Sequence, residues 1–152
     1  MITPEQATKA ARRGLQALQP RSRITKGVRM GTPLLVKRLD APGLSYYLVP
    51  ERSPAGIAAI AQVDASTGSL QSVARLPQPV PQMIISPRQA AEAASDSIGR
   101  RLTGAPELVW QPCRESSSPL RPFYRVRAAE HDLFVSIDGQ VYEELTPFGK
   151  GG

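Results

Sequence analysis

Cys113 and His131 are the two side chains of this 152-residue sequence with the chemistry of a catalytic pair, and each is the single residue of its type. A cysteine thiolate activated by a histidine is a common nucleophile, and the adjacent Arg114 would favour the ionised thiol. However, His131 falls in the segment Ala-Glu-His-Asp at residues 129–132, which predicts an exposed hairpin turn. No third residue that would orient the histidine can be identified. We therefore predict no catalytic residues and favour a binding protein over an enzyme.

Metal ligands and paired carboxylates give no stronger signal. One cysteine and one histidine are too few for a dedicated metal site. The neighbouring Glu143 and Glu144 are predicted to point to opposite faces of a strand, which prevents them from sharing a proton. A single cysteine also excludes an internal disulfide. We therefore expect neither a cofactor nor a structural metal.

Aromatic residues are the first candidates for binding. Successive residues of a strand point to opposite faces of a sheet, so Tyr46 and Phe123 should face away from Tyr47 and Tyr124. One set is expected to pack beneath a helix and the other to lie on the open face of the sheet, where an aromatic patch is a candidate binding surface. We predict an open-face binding surface formed by Tyr47, Tyr124 and Trp110.

Basic residues are the second candidate. The net charge of +6 arises in the first half, because residues 1–83 contain 11 Lys and Arg against 4 Asp and Glu. Such a patch would attract an acidic protein, a phosphate backbone or an anionic membrane, although a solvated surface is the simpler alternative. Nucleic acid is the weakest of these partners because no aromatic residues for base stacking interrupt the run. The predicted basic patch comprises Arg12, Arg13, Arg21, Arg23, Lys26 and Arg29.

The elements that position these residues occur twice in the sequence. Residues 2–11 (ITPEQATKAA) match residues 85–94 (ISPRQAAEAA), and both segments predict a helix start. Thr3 and Ser86 are the expected N-caps, each followed by a proline and, three residues after the cap, by a glutamine that completes a capping box. The apolar face of the first helix is expected to include Ala7, Ala11, Leu15 and Leu18.

Four strands are predicted after each helix. In the first copy they cover residues 31–39, 46–49, 57–64 and 69–76, and in the second they cover residues 104–111, 123–126, 131–137 and 140–145. The predicted domains are residues 1–76 and residues 84–148, joined by a proline-rich linker at residues 77–83 and followed by a flexible tail at residues 149–152. The predicted fold class is α+β, with two repeats of one helix packed on an antiparallel sheet.

The order of these elements resembles the PepSY domain. The resemblance rests on the aromatic strand SYYLV at residues 45–49 and on the strand and turn AQVDASTGSL at residues 61–70, of which IDGQV at residues 137–141 is a shortened version. It implies a cystatin-like architecture in each copy and a role in inhibition or protein binding rather than catalysis. It provides no catalytic residues to transfer to this chain.

Together these patterns predict a non-catalytic protein- or peptide-binding module that acts as an inhibitor, chaperone or accessory subunit through the open sheet face or a strand edge. The alternative is a small-molecule-binding protein or small enzyme with a pocket between the repeats. Exposed sheet edges would also allow two copies of the chain to associate. Apolar runs such as residues 57–61 are too short to span a membrane, and residues 1–20 have no apolar signal core. We therefore expect a cytoplasmic protein, or an extracytoplasmic one whose signal has been removed.

Overall fold

The computed structural model describes residues 1–18 and 28–148. Over these ranges the chain is α+β, as predicted, with two helices and nine strands in mostly antiparallel pairings. The chain divides into two compact units, which we call unit 1 (Met1–Leu35 and Gly43–Met83) and unit 2 (Val36–Pro42 and the chain from Ile84 onward). The elements are α1 (Pro4–Leu18), β1 (Arg29–Met30), β2 (Leu34–Arg38), β3 (Ser45–Ser53), β4 (Gly56–Asp64), β5 (Leu70–Val80), α2 (Pro87–Ile98), β6 (Glu107–Trp110), β7 (Phe123–Arg127), β8 (Asp132–Val135) and β9 (Val141–Tyr142).

In unit 1, α1 begins at the predicted capping box. The Thr3 hydroxyl accepts a hydrogen bond from the Gln6 amide at 3.2 Å, and the Gln6 side chain accepts one from the Thr3 amide at 2.8 Å. The helix contacts β3, β4 and β5. Its buried residues are Ala7, Ala11 and Leu15, whereas Leu18 is 59% exposed. The prediction for Leu18 was therefore wrong: it is the last residue of α1, one turn beyond the last side chain in the core.

The strands of unit 1 follow the order β5, β4, β3, and β1 also pairs with β3. The two-residue β1 was not predicted. The strand β5 extends four residues past its predicted end, through Pro77 and Pro79, into the segment predicted as a linker. Two features explain how a strand accepts these prolines. Among the described strands, β5 pairs with β4 alone, so it is an edge strand, and the register of the β4–β5 ladder is irregular between Ala59 and Ile57.

In unit 2, the helix α2 also begins at a capping box, with Ser86 and Gln89, and ends at Gly99, whose φ of 68° is left-handed. Ala90 and Ala94 are buried, and α2 contacts β7, β8 and β9. The end of β2 pairs in parallel with β6, which is followed in order by β7, β8 and β9. Residues 36–42 belong to this unit, although the predicted boundary placed them in the first copy.

Candidate functional site

The predicted aromatic surface is not exposed. Tyr47 and Tyr124 are each 4% exposed and Trp110 is 5% exposed. Tyr47 belongs to the apolar cluster that contains the inner face of α1, and its hydroxyl donates a hydrogen bond to the Ile2 carbonyl at 3.2 Å. The Tyr124 hydroxyl donates to the Ile85 carbonyl at 3.0 Å, and burial raises its pKa. The prediction of an open-face site at these tyrosines was therefore wrong, because they anchor the chain that enters each helix.

Trp110 is also held inside unit 2. Its indole N–H donates a hydrogen bond to the Ser116 carbonyl at 3.3 Å, and the guanidinium carbon of Arg38 lies 5.3 Å from its ring centroid. The Arg38 guanidinium in turn bonds to both carboxylate oxygens of Asp40, at 3.0 and 2.6 Å. Because its single polar group is satisfied and its ring is covered, Trp110 supports the fold and offers no surface to a partner.

The structure does not bring the thiol and the imidazole into a catalytic pair. Cys113 is fully buried, and its thiol donates a hydrogen bond to the Ser116 carbonyl at 3.4 Å. Burial raises the pKa of the thiol, which opposes formation of a thiolate. His131 is exposed, and no hydrogen bond joins it to Cys113. A cysteine nucleophile needs an accessible, ionised thiol, and burial of Cys113 opposes both properties.

His131 instead lines an open groove of about 590 Å³ in unit 2. The other lining residues are Glu115, Tyr142, Glu143, Glu144 and Thr146. Glu143 and Glu144 follow the end of β9, so the predicted alternation of a strand does not apply to them. Burial raises the pKa of Glu115, but hydrogen bonds from the Thr146 amide and hydroxyl lower it. The net shift of the pKa is downward. No cluster of three or more His, Cys, Asp or Glu residues within residues 1–18 and 28–148 could hold a metal ion.

The predicted basic patch is divided by the fold. Arg21, Arg23 and Lys26 lie outside the described residues. Arg12 and Arg13 are exposed on α1, next to the exposed Lys9. Arg29 is exposed on β1, where its neighbour Met30 packs against the cluster beneath α1. Because successive strand residues point to opposite faces, Arg29 lies on the face of the sheet away from α1.

A second arginine lies directly beside Arg29. The register of β1 and β3 pairs Arg29 with Arg52, and both side chains are exposed. Directly opposite residues of antiparallel strands have Cβ atoms about 4.5–5.5 Å apart, and two like charges in such a pair repel each other. No ion pair or hydrogen bond joins either guanidinium to another described residue. We call Arg29 and Arg52 the arginine pair.

The main chain beside the arginine pair is shaped to leave room for a guanidinium. The Gly31 amide donates a hydrogen bond to the Pro50 carbonyl at 2.7 Å, which extends the contact between β1 and β3. A Cβ atom on Gly31 would lie 2.8 Å from Cγ of Pro50 and 3.1 Å from Nε of Arg52. A side chain at residue 31 would therefore clash with Pro50 and require Arg52 to shift slightly. Sequence patterns did not indicate Arg52, because its partner on β1 is more than 20 residues away and β1 itself has only two residues.

In unit 2, four of the nine described Lys and Arg side chains are in ion pairs, and the other five are exposed. Its ion pairs include Lys37 with Glu107 at 3.2 Å, Arg125 with Glu107, and Arg88 with Glu92 at 3.2 Å. The hydrogen bond from Arg125 lowers the pKa of Glu107, with a smaller contribution from Lys37. In unit 1, all six described Lys and Arg side chains are exposed and none is in an ion pair. These cations are Lys9, Arg12, Arg13, Arg29, Arg52 and Arg75.

Comparisons with known proteins give no family for the chain. No protein-family model and no curated protein matches it. One solved structure, titled as a "putative lipoprotein" from Clostridium difficile 630, is 17% identical over 76% of this chain and 79% of that chain, with a TM-score of 0.27. Similarity at this level supports no inference about this chain. Neither described helix is long and apolar enough to cross a membrane.

Proposed function

We propose that this protein is a non-catalytic protein- or peptide-binding module, and that unit 1 binds a partner with an acidic surface. The observation that supports the proposal is the set of six exposed cations in the described part of unit 1, none of them in an ion pair. Exposed charges of one sign attract an oppositely charged partner and increase its association rate. In unit 2, by comparison, four of the nine described Lys and Arg side chains are in ion pairs with neighbouring carboxylates.

We also propose that the two units are diverged copies of one PepSY-like unit. Two matched tyrosines, Tyr47 and Tyr124, donate hydrogen bonds to the carbonyls of two matched isoleucines, Ile2 and Ile85. Each isoleucine precedes the N-cap of a helix that packs on antiparallel strands of its own unit. A shared hydrogen bond between matched residues is expected of a duplicated unit, and a role in protein binding is what the PepSY resemblance implies for such a unit.

A pull-down from an extract of the source organism would test the binding function. The baits are the full chain and two unit 1 variants, one with Lys9, Arg12 and Arg13 changed to Gln and one with Arg29→Gln and Arg52→Gln. The matched control carries Arg100→Gln and Arg101→Gln, two exposed residues of unit 2. We expect a protein that the wild type and the control capture, that at least one unit 1 variant fails to capture, and that about 0.5 M salt releases.

Two outcomes would contradict the proposal. One is that all three variants capture the same proteins as the wild type, which would leave the unit 1 cations without a role in binding. The other is a purified protein that carries a small molecule, observed by native mass spectrometry, and captures no protein. Circular dichroism of each variant establishes that it is folded before the comparison is made.

A further inference from the structure

We infer that the arginine pair of unit 1 is a carboxylate-binding site that holds an acidic side chain of an extended peptide. The inference rests on the proposed binding function and names its ligand chemistry and its residues. It begins from the register of β1 and β3, which places two exposed guanidinium-bearing residues directly opposite each other. An arrangement that brings two like charges together is destabilising unless an anion lies between them.

A carboxylate fits this arrangement well. Its two oxygens can accept hydrogen bonds from both guanidinium groups, and arginine forms paired, charge-assisted hydrogen bonds with the planar carboxylate group. Arg52 extends beside Gly31, where a missing Cβ atom leaves space for its Nε. Glu51, the nearest acid in sequence, is 4% exposed and is paired with Met30, whose side chain lies on the α1 side of the sheet. It therefore faces away from the arginine pair.

The fold favours an acidic peptide over nucleic acid. The cations of α1 lie on the opposite side of the sheet from the arginine pair, so the described basic residues do not form a continuous track for a phosphate backbone. Both tyrosines of unit 1, Tyr46 and Tyr47, are buried and cannot stack on bases. The strand β1 pairs with β3 alone among the described strands. An extended peptide can therefore lie beside β1, with one acidic side chain at the arginine pair.

Fluorescence anisotropy with the purified full chain tests this site at 50 mM salt. The probe is a fluorescein-labelled octapeptide of glutamate, and the comparison probes are a glutamine octapeptide, a thymidine octanucleotide and vesicles containing phosphatidylserine. We expect the glutamate peptide to bind more tightly than the other three. Arg29→Gln with Arg52→Gln should weaken its binding at least tenfold, whereas Arg100→Gln with Arg101→Gln should change it less than twofold.

A lysine variant separates planar recognition from simple charge. Arg29→Lys with Arg52→Lys keeps both charges but loses the guanidinium forks, and we expect it to bind the glutamate peptide at least threefold more weakly than the wild type. Equal affinity of the lysine variant would overturn the carboxylate geometry. Equal losses in the Arg29/Arg52 and Arg100/Arg101 variants would overturn the site itself.

The remaining outcomes distinguish this inference from the proposed function. Tighter binding of the oligonucleotide or the vesicles than of the glutamate peptide would overturn the assignment of a carboxylate, as would the absence of glutamate-peptide binding. If the α1 variant fails to capture a protein partner while the Arg29/Arg52 variant still captures it, the proposed function stands and the arginine pair is not its binding site. If neither variant changes capture, both fail.

Discussion

The hydroxyl of Tyr47 is predicted to stabilise unit 1 rather than to contact a partner. It donates a hydrogen bond to the Ile2 carbonyl, one residue before the N-cap of α1, and the side chain is 4% exposed. Tyr47→Phe removes this hydrogen bond and keeps the packing of the ring. Tyr124→Phe makes the equivalent change in unit 2, at the Ile85 carbonyl.

The expected cost follows from the burial of the group. A hydrogen bond of this kind contributes about 0.5–1.5 kcal/mol to the free energy of unfolding. For a chain of this length, about 1 kcal/mol corresponds to a decrease of about 2–4 °C in Tm. Tyr47→Ala also leaves a cavity, and loss of a buried aromatic ring costs about 3–5 kcal/mol. That loss is a large fraction of the total stability of about 5–15 kcal/mol expected for a domain.

Urea unfolding followed by circular dichroism measures these free energies. We expect each Phe variant to lose about 1 kcal/mol, and the Tyr47→Phe/Tyr124→Phe double variant to lose the sum, because the two sites belong to different units and share no partner. A Tyr47→Phe variant as stable as the wild type, together with a Tyr47→Ala cost below about 1 kcal/mol, would refute the reasoning. That result would mean that the ring is not buried beneath α1.

Three further outcomes are expected. Gly56→Ala should lower the free energy of unfolding by about 1–3 kcal/mol, since Gly56 has a φ of 130° and a Cβ atom there would lie 2.5 Å from the Val80 carbonyl oxygen; an unchanged urea midpoint would contradict this. Glu107→Gln should lower the free energy of unfolding at neutral pH, but the difference from the wild type should vanish in acid. Because Arg125 lowers the pKa of Glu107, the stabilisation by the ionised carboxylate is present above the ordinary pKa of 4.5 and is lost as pH falls through the lowered pKa. Urea titrations from pH 3 to 7 measure that difference, and a pH-independent difference would argue against the ion pair. Iodoacetamide should modify Cys113 far more slowly in the folded chain than in urea, because the thiol is fully buried and its pKa is raised; mass spectrometry that gives equal rates would place the thiol at the surface.

Local sequence signals predicted much of the secondary structure. Both capping boxes occur at the predicted residues, because a cap is a contact between residues three apart and needs no information about the rest of the chain. The turn glycines Gly68 and Gly139 both have positive φ values, 76° and 92°, at the turns predicted for them. The local character of these signals also explains the errors in the predicted strands. Proline predicts that β5 ends at residue 76, but whether a strand accepts proline depends on whether it lies at the edge of the sheet.

The candidate site required information that local patterns do not contain. Arg29 was included in the predicted basic patch, but the patch was defined by proximity in sequence. In the structure, the residue opposite Arg29 is Arg52, and the two are brought together by the pairing of β1 with β3. Proximity in sequence also grouped Arg29 with Arg12 and Arg13, which the structure places on a helix on the other side of the sheet. Strand pairing, rather than charge density along the chain, decides which cations can share a ligand.

The aromatic prediction failed for a related reason. Alternation along a strand establishes that Tyr46 and Tyr47 face opposite sides of the sheet, but it does not establish that either side is open, and both side chains are buried. Tyr47 lies on the side that α1 covers, where its phenol reaches the Ile2 carbonyl. A strand residue that packs beneath a helix and bonds to its entry segment cannot also be part of an open face. Met30 packs on the same side of the sheet as Tyr47. The alternation of side chains along β1 therefore places Arg29 on the opposite side. The side of the sheet that carries the arginine pair thus follows from the side that α1 covers.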